Sequence, residues 1–247
     1  ACKYPPYTGR ADGEIDVTGP MPLPQGTEVV VLAGANKPLR SVLVQRPDGR
    51  GGTIDTFLDL AADHVPDREF RFAVGRVLAD ELVTLNLHDD DGIDNAAVLS
   101  LQAVVDQAPT VAVHRRGLEM AATPQARVPF SGKATDDYGL KQLWFEFGLE
   151  GTEPQQRPTA AQPRGARELA VDDGLELREA FSSPPLVPGQ VLTVAVRGED
   201  NRDLPETPGG NTAAGDTATL TIVTDAELLR LLEAREIMFR EQFKALI

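Results

Sequence analysis

The stretch Glu81-Leu-Val-Thr-Leu-Asn-Leu-His-Asp-Asp-Asp-Gly-Ile-Asp-Asn95 runs as an alternating strand into an acidic loop. Gln190-Val-Leu-Thr-Val-Ala-Val-Arg-Gly-Glu-Asp-Asn-Arg-Asp203 has the same form. Each is followed by a second alternating run, Ala97 to Val105 and Thr217 to Val223. Earlier strands correspond as well: Thr27 to Asn36 with Leu39 to Val44, and Ala126 to Thr135 with Leu140 to Phe147. The unit recurs at roughly 105 residues, the size of one β-sandwich of about 100 residues. Period-two alternation buries one face of a strand and wets the other.

The expected fold is therefore all-β. It has two tandem immunoglobulin-like β-sandwich domains, residues 1–107 and 108–224, plus a C-terminal α-helix over 225–247. Asp106-Gln-Ala-Pro-Thr110 is the linker. Aromatics are only 5% of the chain, so Val, Leu, Ile and Ala must fill the cores. Gly49 to Gly52 reads as a hairpin tip. Residues 151–167 hold Pro, Gln, Gly and Ala with almost no large apolar side chain, which predicts a mobile insertion.

At Thr224 the pattern changes period. Thr224-Asp-Ala-Glu227 has the form of a capping box. Leu228, Leu231, Leu232, Met238, Phe239, Phe243 and Leu246 then recur at helical spacing, with Arg and Glu between them. The stripe still runs at Ala245-Leu246-Ile247, so the helix is expected to start a longer helical, coiled-coil region. Such a helix would bind a protein partner or a second copy of the chain. The alternative is a helix folded back onto the second domain.

The net charge of −14 repels phosphate backbones and anionic lipid, which excludes nucleic acid as a partner. No run of 18 apolar residues is present, so no direct membrane insertion is expected within residues 1–247. A single cysteine, Cys2, allows neither an intrachain disulfide nor a cysteine zinc site. The five serines lie in no Gly-x-Ser-x-Gly frame, and there is no phosphate-binding loop and no His-Glu-x-x-His. His64, His88 and His114 are far apart in sequence. The chain is expected not to be an enzyme, and no resident cofactor is expected.

Two candidate sites remain. Asp89, Asp90, Asp91, Asp94 and Asn95 gather hard oxygen donors within seven residues, the donor type that calcium prefers. Glu199 to Asp203 and Asp136-Asp137-Tyr-Gly139 are further acidic turns. The other reading of these residues is turn building through side-chain-to-backbone hydrogen bonds. Trp144 is the second candidate. Leu143, Phe145, Phe147 and Leu149 share the core face of their strand, which turns Trp144 outward beside Gln142 and Glu146. There it would stack on a sugar, anchor a partner, or pack under a loop.

Several segments together resemble a known group. They are Tyr4-Pro-Pro-Tyr-Thr-Gly9, Leu23-Pro-Gln-Gly-Thr27, Ala35-Asn-Lys-Pro-Leu39, Ala134-Thr-Asp-Asp-Tyr-Gly-Leu140, Val187-Pro-Gly-Gln-Val191, Arg197-Gly-Glu-Asp-Asn201 and the ending Leu228 to Phe243. Their order resembles the periplasmic immunoglobulin-like repeat region of large membrane-anchored bacterial proteins of unknown function, of planctomycete type. The resemblance implies a periplasmic or cell-envelope location and a structural or interaction role, and it supplies no catalytic residues. A carbohydrate- or calcium-dependent adhesion pair is the alternative role.

Overall fold

The computed structural model describes residues 1–60, 68–89, 91, 94–117 and 120–245. The chain is mostly β-sheet with a C-terminal helix. It divides into two compact units, residues 1–106 with 204–206, and residues 107–203 with 207–247. No helix among the described residues is long and apolar enough to cross a membrane.

The first unit contains β1 (Cys2–Lys3), β2 (Met21–Pro24), β3 (Thr27–Gly34), β4 (Leu39–Pro47), β5 (Thr53–Asp59), β6 (Glu69–Val77), β7 (Glu81–Asp89) and β8 (Asp94–Val104). They form a three-stranded sheet, β1-β3-β6, and a five-stranded sheet, β2-β8-β7-β4-β5. Only β2 with β8 is parallel; the other pairs are antiparallel. The buried faces of both sheets form one core. Val29, Phe70, Phe72 and Val74 come from the first sheet, and Val42, Val44, Val83, Leu99 and Leu101 from the second. The β4–β5 hairpin tip falls at Gly49 to Gly52. Asp48 Oδ1 accepts the N–H groups of Arg50 and Gly52, both at 2.7 Å, while Gly49 and Gly51 take positive φ.

The second unit contains β9 (Thr110–Arg115), β10 (Ala121–Ala122), β11 (Arg127–Thr135), β12 (Leu140–Leu149), β13 (Gln155–Pro158), β14 (Glu168–Glu176), α1 (Leu177–Ala180), β15 (Val191–Asp200), β16 (Thr212–Ala214), β17 (Ala218–Ile222) and α2 (Asp225–Ala245). Its sheets run β14-β11-β9 and β10-β17-β15-β12-β13, with β16 also on β15. Here too the short early strand, β10, pairs parallel to the last one, β17. Leu143, Phe145 and Phe147 of β12 and Leu192, Val194 and Val196 of β15 point into a core with Val113, Phe130, Val171 and Leu175 from the other sheet. The rings of Phe130 and Phe145 meet across the two sheets, 5.6 Å apart between centroids. Gly132 has φ +151°, and a Cβ there would lie 2.0 Å from the Ala112 carbonyl oxygen. Only glycine lets β9 approach β11 this closely.

One expectation changes, and one alternative is decided. The 151–167 stretch is not simply an insertion: Gln155–Pro158 extends the sheet as β13, antiparallel to β12. Its polar residues suit an edge strand whose side chains are largely exposed, and Pro158 sits at the strand's end, where a missing N–H is tolerated. Gln162 then ties the following turn back, with Nε2 donating to the Leu143 carbonyl at 2.8 Å. The helix α2 is capped at Thr224, whose Oγ1 accepts the Glu227 N–H at 3.2 Å. It is not folded back: its side chains are exposed along its length, save half-buried Leu228 and Arg235.

The packing sets a contrast. Leu143→Ala empties a fully buried site and is expected to lower stability by about 2–5 kcal/mol. Val98→Ala, on the wet face of β8, is expected to change it by less than about 0.5 kcal/mol. Urea denaturation of both variants checks the difference.

Candidate functional site

The first acidic loop joins β7 to β8. Asp89 ends β7 beside Leu39, with its side chain 2% exposed, and is held by the ammonium of Lys37. Asp89 Oδ1 also accepts the Asp91 N–H at 2.9 Å. Asp94 is exposed and lies 2.5 Å from Nδ1 of His88, while Asn95 Oδ1 accepts the Ala96 N–H at 2.8 Å. Asp90 lies outside the described residues. The described donors of this loop are thus turned to protein partners. Among the described residues no group of three or more His, Cys, Asp or Glu is placed to hold a metal ion.

The second set of acidic residues converges in the second unit. Asp200, fully buried, accepts the N–H groups of Arg202 and Asn211 through Oδ1 and the Asn211 amide through Oδ2, all at 2.9 Å. Burial of Glu199 opposes its charge. Lys141 Nζ at 2.8 Å, Gln142 and the Gly210 N–H outweigh that, so its carboxyl is held below the usual range. Asp136 Oδ2 accepts the Tyr138 and Gly139 N–H groups at 2.9 and 2.7 Å. Gly139 has φ +110° and passes against the Gly165 carbonyl, where a Cβ would stand 2.5 Å from that oxygen. These residues build the β11–β12 and β15–β16 turns.

Trp144 does face away from the core. On β12 it lies between Pro158 of β13 and Arg197 of β15. Arg197 Nε donates to Glu146 Oε1 at 2.8 Å on the same face. Trp144 is half-buried, and its indole N–H is shielded from solvent with no acceptor among the described residues. Trp144 thus presents only part of its surface to solvent. His88 and His114 sit at different strands, paired with Asp94 and with Asp216 at 2.7 Å. His64 lies outside the described residues.

Two features were not expected from the sequence. The first is the pairing of buried Asp89 with the partly exposed Lys37, which joins positions distant in sequence. The second is the exposure of β5, where Ile54 and Phe57 are 51% and 64% exposed. Beside it Leu58, Leu60, Leu32 and Phe70 line an open cleft of about 730 Å³. Nothing local in Thr53 to Asp59 marks it as the last strand of its sheet.

The architecture defines a mostly β-sheet chain with a C-terminal helix. No family model matches it, and no curated protein matches it. Among solved structures, one described for host cell surface retention of a 1.5-MDa bacterial ice-binding adhesin aligns at TM-score 0.40 and 16% identity, covering 80% of this chain and 58% of that one. Red sea bream transglutaminase aligns at TM-score 0.29 and 13% identity, covering 83% and 30%. The chain thus spans less than two thirds of either neighbour.

One carboxyl gives a pH signature. Burial raises the Asp136 carboxyl above its usual range; the hydrogen bonds from Tyr138 and Gly139 do not cancel this, and the charges of Asp200 and Asp137 add to it. A carboxyl raised in the folded state opposes folding when ionised, and the penalty is relieved as pH falls through the folded value. Asp136→Asn keeps an oxygen for both N–H groups and removes the charge. It is expected to raise Tm at pH 7, with the gain shrinking to nothing in acid below the ordinary aspartate range. Thermal melts from pH 3 to pH 7.5 check this.

Proposed function

We propose that this chain is a non-catalytic structural and protein-interaction module of a bacterial envelope protein, made of two tandem immunoglobulin-like β-sandwiches and a self-associating helix. The sandwich reading is supported by the strand orders. In each unit a five-strand path begins with a short strand parallel to its neighbour, and a three-stranded sheet shares its core. The envelope location rests on the resemblance drawn from Tyr4 to Phe243.

The observation that carries the interaction role is the uncovered apolar surface of α2. Leu231, Leu232, Met238 and Phe239 recur at helical spacing and stand exposed on 21 residues of helix. An isolated helix of that length is marginal in water, and burying each such side chain contributes about 1.5–3 kcal/mol. The occupant is a second copy of the same helix. The whole chain carries −14, but residues 225–245 hold five acidic and four basic side chains, so two such helices meet almost without net repulsion. Their charges are partly paired within the helix already, as in Arg240 with Glu236 and Lys244 with Glu241. Arg235 lies over the Phe239 ring at 5.3 Å, within the stripe, where its aliphatic stem adds apolar surface.

The double variant Leu232→Asp, Phe239→Asp tests this by sedimentation equilibrium. The unmodified chain is expected to associate and the variant to lose at least about tenfold in association, with the unfolding transition of the sheets unchanged. Equal masses for the two proteins would overturn the role of α2.

A further inference from the structure

We infer that β5 is a self-pairing sheet edge, through which two copies of the chain join antiparallel about a two-fold axis at Thr56. This goes beyond the role given to α2 and rests on the first unit alone. The last strand of a sheet presents a row of N–H and C=O groups that another strand can pair. Proteins usually blunt such edges with charged side chains, above all Lys, or with Pro, bulges or short strands. The other edges of this unit follow that practice. On the five-stranded sheet, β2 is four residues long and carries Pro22 and Pro24. On the smaller sheet, β6 carries Arg71 and Arg76.

In contrast β5 is seven residues long, has no Lys, Arg or Pro, and pairs with β4 in unbroken register. No described strand pairs with its other side. Its apolar side chains Ile54 and Phe57 are mostly exposed, and Leu58 lines the open cleft beside it.

The sequence Thr53-Ile-Asp-Thr-Phe-Leu-Asp59 chooses the occupant and the register. Residues directly opposite in a continued sheet share a face. Thr56 and Leu58 face the side of Val44 and Val42, whereas Asp55 and Phe57 face the side of Gln45 and Leu43. A symmetric pair must keep those sides. Centring on Asp55 sets two aspartates against each other. Centring on Phe57 sets Asp55 against Asp59. Centring on Ile54 leaves four of the seven residues, Thr56 to Asp59, without partners in the strand, and centring on Leu58 leaves Thr53 to Thr56 without them. Centring on Thr56 overlaps all seven residues with no like-charge pair: Thr56 meets itself, Asp55 meets Phe57, Ile54 meets Leu58, and Thr53 meets Asp59. Ile54 of the second copy then lies on the cleft side, opposite Leu58. The two Phe57 rings become diagonal neighbours, within reach of each other. An edge of this size makes a weak, concentration-dependent dimer.

The self-opposition of residue 56 gives a test that a general effect on solubility would not pass. Thr56→Lys and Thr56→Glu are made in the full chain carrying the two α2 substitutions, so that helix association does not enter. Residue 56 is exposed, so both should fold, and unchanged melting curves verify that. Sedimentation equilibrium up to about 1 mM is expected to show dimer for the Thr56 parent. Each charged variant alone, with like charges opposed, should lose at least about tenfold in association. An equal mixture of the two should regain the dimer, because Lys then faces Glu. A monomeric parent, a Lys variant that associates as the parent does, or a mixture that stays monomeric would each overturn the edge. None of these results touches the reading of α2, whose own variant is compared with the unsubstituted chain.

Discussion

A strand has two faces and a sheet packed on one core buries mainly one of them, and that constraint organises the rest. Along β12 the residues Leu143, Phe145 and Phe147 are buried and Trp144 and Glu146 are not. Along β4 the same holds for Val42 and Val44 against Leu43 and Gln45. A one-residue slip would turn the core outward, so pairing register is strongly determined. Two sheets closing on one core satisfy the alternation of each unit. What they leave over is peripheral: sheet edges, turns and a helix without a core to join.

The turns show how the acidic composition is used. Asp48, Asp136 and Asp200 each accept backbone N–H groups two or more residues along, at hairpin tips or strand junctions. Asp89 and Glu199 are answered by Lys37 and Lys141. The density of carboxylates that suggests hard-cation binding in sequence is therefore also the density that closes tight turns. Which role a carboxylate takes depends on cations that arrive from other strands. Lys37, some fifty residues from Asp89, has no signature in the sequence near that loop.

Legibility follows the range of the interaction. Strand faces, the hairpin tip at Gly49 to Gly52 and the cap at Thr224 depend on neighbours a few residues away, and all could be read directly. The outward turn of Trp144 came from the same local rule. Its shielding did not, because β13 and β15 lie on either side of it. The strand β13 itself was hidden because Gln155-Gln-Arg-Pro158 carries no alternation of apolar residues. It pairs only because β12 offers it an edge. Strand order is equally non-local, so the exposed position of β5 emerges only from the assembled sheet.

Charge and apolar surface therefore divide the molecule's behaviour between long and short range. At a distance, −14 charges keep copies apart in dilute solution and at low salt. At contact, the surfaces left bare are those where charge is sparse or balanced: a helix with nearly equal numbers of acidic and basic residues, and an edge strand whose two aspartates stay apart in the proposed pairing about Thr56. The proposed association would strengthen with ionic strength rather than weaken, since screening removes the repulsion while the contacts buried are apolar. That salt dependence is opposite in sign to what ion-paired or phosphate-binding surfaces show. On the proposed reading, interaction belongs to the periphery, where the two-faced constraint of the sheets ends.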